Sequence, residues 1–374
     1  MERDLFKPIV SAEKSHHLYR RLAQGATHAA ARRLMNEKFS EFIDIDRSFV
    51  REFQTAGFSA RVFELALFSY LQECNLPLNR ANSAPDFVTL GPDPVAIEVT
   101  TTNQTQGSEP DDLTYRALER EDIEEGNRSF IFQIGKALRR KLLHRDAQGR
   151  AYWEKPHVRN TPFVIAVGAF HEQHAQIHPM GPVGQYLYGR RAVINEGSPA
   201  DTKFNTEAFR DHRWGEKTIP SGLFKQAEAA HLSGVLFSNA HTVSMFNRIG
   251  TERGYGAPKV SMCRVGTAYN RDPEAADPCL FAYVVGDRPA NDLETFGEGL
   301  HLFLNPWAAI PMSPTALPGT TYHELLADGR FLSTFNGSLQ PYSSKTLIFE
   351  GEHAELFARY HKLRFLDLVP PIGD

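Results

Sequence analysis

The chain has 374 residues with a formal net charge of −4, and 41% of its residues are hydrophobic while 23% are charged. This balance indicates a soluble globular protein with a large core, folded as one elaborate domain or two ordinary ones. A near-neutral charge weighs against a dedicated non-specific nucleic-acid binder, which is usually basic, but it allows an enzyme with a local basic patch.

Targeting signals and cysteine usage give the expected compartment. The N-terminus, Met1–Leu5, is charged and lacks the apolar run of a secretory signal, and no stretch approaches a membrane span. Cys74, Cys263 and Cys279 are odd in number and widely separated, which argues against a disulfide framework or a cysteine zinc site. We therefore expect a reduced, cytoplasmic protein without membrane contact.

The first predicted elements are helical and lead into a hairpin. Residues 12–38 are rich in helix-forming residues and predict a helix or a helix pair. Residues 59–74 are apolar around nearly the whole helix circumference, which implies burial. Residues 85–90 and 95–100 predict two paired strands, joined by the turn at 91–94.

The pattern continues with a polar segment, a helix and a buried strand. Residues 102–127 indicate a surface loop, residues 129–143 a helix, and the apolar run at 162–168 a buried strand. A helix at about 223–231 and a strand at 234–238 would extend the sheet. The order predicts an α/β core over residues 59–240, preceded by a helical segment (1–58) and followed by a C-terminal extension or subdomain (241–374).

Carboxylates in and before the hairpin carry the chemistry. Glu98 is flanked by Ile and Val in a predicted central strand, where an acid is rare without a role, unless that sheet face is open to water. Asp86 begins the other strand, where an Asp often only bonds the local backbone. Glu64 lies in the apolar helix, and its alternative explanations are an exposed edge or a bond to Arg61.

The helix at 129–143 supplies a cation. Its apolar residues form one stripe, and Lys141 falls beside that stripe, while Lys136 and Arg140 point largely away. A lysine there can stretch its ammonium to a neighbouring site or simply reach solvent. The basic run at 136–145 could also contact phosphates, although such a run is more often a solvated face.

Together these residues resemble the PD-(D/E)XK nuclease superfamily. Its core has the order helix, hairpin, helix, strand, with Glu on the first helix, Pro-Asp on one strand and Asp/Glu-x-Lys on the next. Pro85-Asp86 and Glu98-Val99-Thr100 match, except that Thr100 stands where the family usually has lysine. The resemblance covers residues 59–169 and implies a restriction-endonuclease-like core with a central mixed sheet flanked by helices.

The resemblance also implies a metal site. Asp86, Glu98 and the Val99 carbonyl would hold Mg²⁺, with Mn²⁺ as a substitute and Glu64 in support. The ion would activate water for phosphodiester hydrolysis. Since the Thr100 hydroxyl cannot replace a cation, Lys141 is the candidate catalytic lysine, and Lys136 is the reserve.

The resulting hypothesis is a Mg²⁺-dependent endonuclease that acts on DNA rather than RNA, in bacterial restriction or anti-phage defence, and that could form a homodimer. Its main alternative is an inactive nuclease-like module that binds nucleic acid or a protein partner. A third reading is a different hydrolase in which the hairpin match is accidental. His171, His174 and His178 could bind a metal, but an ordinary surface cluster is the commoner outcome.

Overall fold

The computed structural model describes residues 3–103, 120–170, 180–194, 204–270, 278–337 and 339–367. The chain divides into two compact units, each assembled from segments distant in sequence. The first unit contains residues 1–73, 240–298 and 337–374, and the second contains residues 74–239 and 299–336. The predicted division into three consecutive segments stays a prediction.

A mixed seven-stranded sheet forms the centre of the second unit. Its strands are β1 (Phe87–Val88), β2 (Ala96–Asn103), β3 (Phe163–Phe170), β8 (Leu232–Ser238), β11 (His301–Leu304), β12 (Thr321–Leu325) and β13 (Phe331–Thr334). They lie side by side in that order. Strands β2, β3 and β8 are parallel, and β1 and β11 run antiparallel to them. The expected α/β class with a central mixed sheet is confirmed.

Helices α5 (Arg120–Leu142) and α6 (Gly181–Tyr188) contribute to the core of the second unit. The predicted stripe of α5 is buried and packs with side chains of β3 and β8, which fixes the helix against the sheet. Two small hairpins complete the unit: β4 (Arg190–Ile194) with β5 (Phe204–Ala208), and β6 (Asp211–Trp214) with β7 (Lys217–Pro220).

The first unit combines helices with a small antiparallel sheet. Its helices are α1 (His17–Gln24), α2 (Ala29–Glu41), α3 (Phe49–Gln54), α4 (Phe58–Glu73), α7 (Val243–Glu252) and α8 (Ala354–Leu366). Its three strands are β10 (Cys279–Val284), β9 (Val260–Ala268) and β14 (Pro341–Glu350), with β9 in the middle. The helix pair at the N-terminus and the apolar helix at 59–74 are thereby confirmed.

Two predicted elements are wrong. The segment at 223–231 forms two short 3₁₀ turns, Leu223–Lys225 and Ala227–Ala229, because the extended Gln226 between them prevents a continuous helix. The loop expected at 102–127 is wrong at both ends, because residues 102–103 belong to β2 and residues 120–127 to α5, and residues 104–119 lie outside the described residues. Among the helices described, none is long and apolar enough to cross a membrane.

Candidate active site

The hairpin of β1 and β2 brings Asp86 to Glu98. Phe87 pairs with Ile97 and Val88 with Ala96, which carries Asp86 to the position across from Glu98. The backbone N–H of Val99 donates to Oδ2 of Asp86 at 2.7 Å. The Asp86 carboxylate is therefore held against the strand that carries Glu98, as the sequence predicted for two converging acids.

The same hydrogen bond orients the Val99 carbonyl. In an extended strand, the N–H and the C=O of one residue point to the same side. Since the N–H of Val99 points to Asp86, its carbonyl points to that side and away from β3, the parallel neighbour of β2. Asp86, Glu98 and the Val99 carbonyl thus offer hard oxygen atoms at one edge of the hairpin.

Glu98 is buried and contacts the candidate lysine. Its exposed fraction is 4%, so a sheet face open to water does not explain this acid. The ammonium Nζ of Lys141 lies 2.5 Å from Oε1 of Glu98. Oε2 is also buried, and it has no hydrogen-bond partner within the described part of the chain. Lys141 therefore compensates part of the charge of Glu98 and leaves one carboxylate oxygen without a hydrogen bond among the described residues.

The pKa of Glu98 reflects this incomplete balance. Burial first, and the nearby charge of Asp86 second, raise the pKa of Glu98 to about 8, while Lys141 and Tyr152 act in the opposite direction. Burial and the charge of Glu98 in turn raise the pKa of the Tyr152 hydroxyl. Two acids with few compensating cations give the buried Glu98 a high affinity for a proton, and perturbed pKa values of this kind are common at functional sites.

Thr100 has a cationic partner that the helix pattern did not predict. Nη2 of Arg140 donates to Oγ1 of Thr100 at 2.8 Å. The prediction that Arg140 points away is wrong, because a periodicity argument gives the direction of Cβ and ignores the reach of a long side chain. Arg140 and Lys141 thus contact alternate residues of one strand face.

The surroundings of the two remaining candidates, Lys136 and Glu64, are as follows. Lys136 is exposed on α5, and no contact of its side chain with Asp86 or Glu98 is present in the described residues. Glu64 lies in the first unit, on α4, where it is 6% exposed and forms an ion pair with Arg61. The alternative explanation for Glu64, a bond to Arg61, is therefore confirmed as a contact.

Tyr152, near the site, was missed from the sequence, and it contacts His144 of the basic run at 136–145. Tyr152 begins a 3₁₀ turn after α5 and carries the hydroxyl next to Glu98. His144 stacks on the Tyr152 ring with centroids 4.9 Å apart, and Lys141 lies 5.7 Å from that ring. No periodicity marks Tyr152, since its position depends on how the chain returns to β3.

The metal-binding alternatives are limited. Over the described ranges, no group of three or more His, Cys, Asp or Glu side chains is placed to hold a metal ion. The cluster of His171, His174 and His178 lies outside those ranges. Mg²⁺ often uses only one or two carboxylates together with water and substrate oxygens, so a pair of acids with a carbonyl fits its chemistry.

No protein-family model, curated protein or solved structure matches this chain.

Proposed function

We propose that this protein is a Mg²⁺-dependent endonuclease with a restriction-endonuclease-like core, which hydrolyses phosphodiester bonds in DNA rather than RNA. The observation that carries the proposal is the contact of Lys141 with Glu98 at 2.5 Å, beside the Asp86 carboxylate on the Val99 N–H. The resemblance supplies the same residue types, with the lysine moved from the strand to the following helix.

The donor set fits a hard divalent ion. Asp86, Glu98 and the Val99 carbonyl would hold it, since Mg²⁺ prefers carboxylate and carbonyl oxygens. The buried Oε2 of Glu98, which has no hydrogen-bond partner in the described residues, supports a cation at this carboxylate. When bound, Mg²⁺ or Mn²⁺ polarises the phosphate and lowers the pKa of the attacking water.

The residues of the chain have separate roles in this proposal. Glu98 and Asp86 supply negative charge, and burial keeps bulk water away from Glu98. The ammonium of Lys141 has more N–H donors than the one bond to Glu98 uses, and these are available to a phosphate oxygen or to the attacking water. Thr100 contributes a hydroxyl that fixes Arg140 and supplies no charge of its own.

Cleavage of DNA in Mg²⁺ tests the proposal. We expect Asp86→Ala and Glu98→Gln each to lower the rate by about 100-fold or more, because each removes a ligand or a stabilising charge. Lys141→Ala should also abolish cleavage, whereas Lys136→Ala, on the exposed side of the same helix, should not. Wild-type rates in folded Asp86→Ala and Glu98→Gln proteins would contradict the assignment.

A second candidate is an inactive nuclease-like module that binds nucleic acid. The observation in its favour is that the Lys141 ammonium already neutralises Glu98, while Thr100 stands in place of the family's lysine. This candidate predicts nucleic-acid binding that EDTA leaves unchanged and no product from any DNA or RNA substrate. Binding that requires Mg²⁺ would contradict it.

A further inference from the structure

The basic residues in and just after α5 fall into two groups. Arg128 forms exposed ion pairs with Glu124 and Glu125, Arg139 pairs with Glu228 at 2.9 Å, and Lys141 pairs with Glu98. Lys136, Arg140 and, beyond the end of the helix, His144 form no ion pair with a carboxylate in the described ranges. Of this second group, Arg140 contacts Thr100 and His144 contacts Tyr152, so these two lie beside the candidate site.

Arg140 is fixed at the candidate site. Its guanidinium donates to the hydroxyl of Thr100, which is 4% exposed and lies two residues after Glu98 on the same strand face. Arg140 itself is exposed. One bond uses one of the several N–H donors of a guanidinium, and the remaining donors suit the oxygen atoms of a phosphate. The guanidinium of Arg140 is thus held by one hydrogen bond to Thr100 and retains further N–H donors for an anion.

His144 lies just beyond the end of α5. The helix ends at Leu142, and the N–H of His144 donates to the carbonyl of Lys141 in the turn that follows. The exposed His144 ring stacks on Tyr152, which lies beside Glu98. Arg140 at Thr100 and His144 at Tyr152 therefore both contact residues next to Glu98.

We infer that Arg140 and His144 bind phosphates of a nucleic-acid backbone beside the candidate site. The inference rests on the proposed function for the identity of the anion as a phosphodiester chain. It assigns Arg140 and His144 to backbone phosphates, separate from the role of Lys141 at the reacting centre. The competing explanation is that Arg140 only complements the negative end of the α5 dipole.

The salt dependence of DNA binding in EDTA separates these explanations. Each lost phosphate contact lowers the slope of log K against log salt by about 0.7 for single strands and about 0.9 for duplex. We expect Arg140→Ala to weaken binding of a short fluorescent DNA and to lower the slope by about one contact. His144→Gln should weaken binding as well. Arg140→Lys should restore the slope, because it keeps the charge.

Arg128→Ala is the matched control. It removes the same charge from the same helix, but at a residue already paired with two glutamates. Its slope should equal that of the wild type. Thr100→Val keeps the Arg140 charge and removes its anchor, so it should weaken binding while the slope stays unchanged. Circular dichroism and thermal melting would verify that each variant is folded.

The outcomes for this site and for the proposed function are distinguishable. Equal slopes for Arg140→Ala and Arg128→Ala, or no DNA binding by the wild type at any salt concentration, would overturn the phosphate site. If the protein cleaves DNA in Mg²⁺ while the slopes of Arg140→Ala and Arg128→Ala are equal, the nuclease proposal stands and the phosphate site is rejected. An Arg140-dependent slope without cleavage would retain the phosphate site and favour the inactive binding module.

Discussion

Two buried carboxylates in different units show how differently a protein can treat the same group. Glu294 in the first unit accepts from Arg248 through both oxygens, at 2.7 and 2.6 Å, and Arg264 lies 3.4 Å away. Burial alone would raise its pKa, but the two guanidinium groups outweigh burial and lower it. Glu98 in the second unit has a single ammonium and a second acid nearby, and its pKa is raised.

The difference distinguishes a carboxylate that stabilises the fold from a carboxylate that can still bind a proton or a cation. Bidentate pairing satisfies both oxygens of Glu294 and leaves little for a ligand to do. Glu98 retains an oxygen without a hydrogen-bond partner among the described residues, together with an affinity for protons. A metal ion would supply what Glu98 lacks, and it would find no comparable role at Glu294.

The largest effect is expected from breaking the satisfied pair. Glu294→Gln removes the charge opposite Arg248 and Arg264, and the loss of one partner from a buried pair costs about 3–5 kcal/mol. Urea denaturation should show the free energy of unfolding falling by that amount. The control Glu355→Gln, in an exposed pair with Arg359, should leave the free energy of unfolding nearly unchanged, because solvent screens that pair. If the free energy of unfolding falls equally in both variants, the buried Glu294 pair is no more important for stability than an exposed ion pair.

Metal binding should stabilise the second unit through Glu98. At a Mg²⁺ concentration of about 100 times Kd, a ligand specific for the folded state adds about 2.7 kcal/mol to the free energy of unfolding. Because Mg²⁺ competes with the proton on Glu98, the gain should be larger at pH 8.5 than at pH 6. Asp86→Ala should eliminate it in thermal melts, and a persisting gain would place the metal elsewhere.

A pH series tests the raised pKa directly. A carboxyl whose pKa rises from 4.5 to about 8 on folding stabilises the protein below about pH 4.5 and loses that contribution as the pH rises through 8. The amide in Glu98→Gln cannot ionise, so the wild type should lose roughly 1–3 kcal/mol relative to this variant between pH 5 and pH 9. If urea denaturation gives the same pH dependence of the free energy of unfolding for the wild type and Glu98→Gln, the raised pKa is contradicted.

The smallest effect concerns the anchor of Arg140. Thr100→Val removes one side-chain hydrogen bond while preserving shape, which should change the free energy of unfolding by about 1 kcal/mol or less. Cleavage should fall only a few-fold, because the acids and Lys141 remain. A loss as large as that of Asp86→Ala would make Thr100 part of the reacting centre and not a support for Arg140.

The sequence by itself determined the local elements on which the site is built. Alternation and turn residues predicted the hairpin that carries Asp86 and Glu98, and the apolar stripe predicted the buried side of α5. These patterns are readable because strand and helix periods are local properties of the chain. The restriction-endonuclease-like relationship rests on the same residues and stays a proposal.

Only the tertiary structure decided which groups meet. Arg140 reaches Thr100 because α5 packs beside β2, and Tyr152 reaches Glu98 because the chain turns back after α5. Glu64 and Glu98 have similar apolar surroundings in the sequence, yet one pairs with Arg61 and the other with Lys141. The partner of a long side chain depends on which groups lie within its reach in the folded chain. These distances are set by the packing of elements that are far apart in sequence.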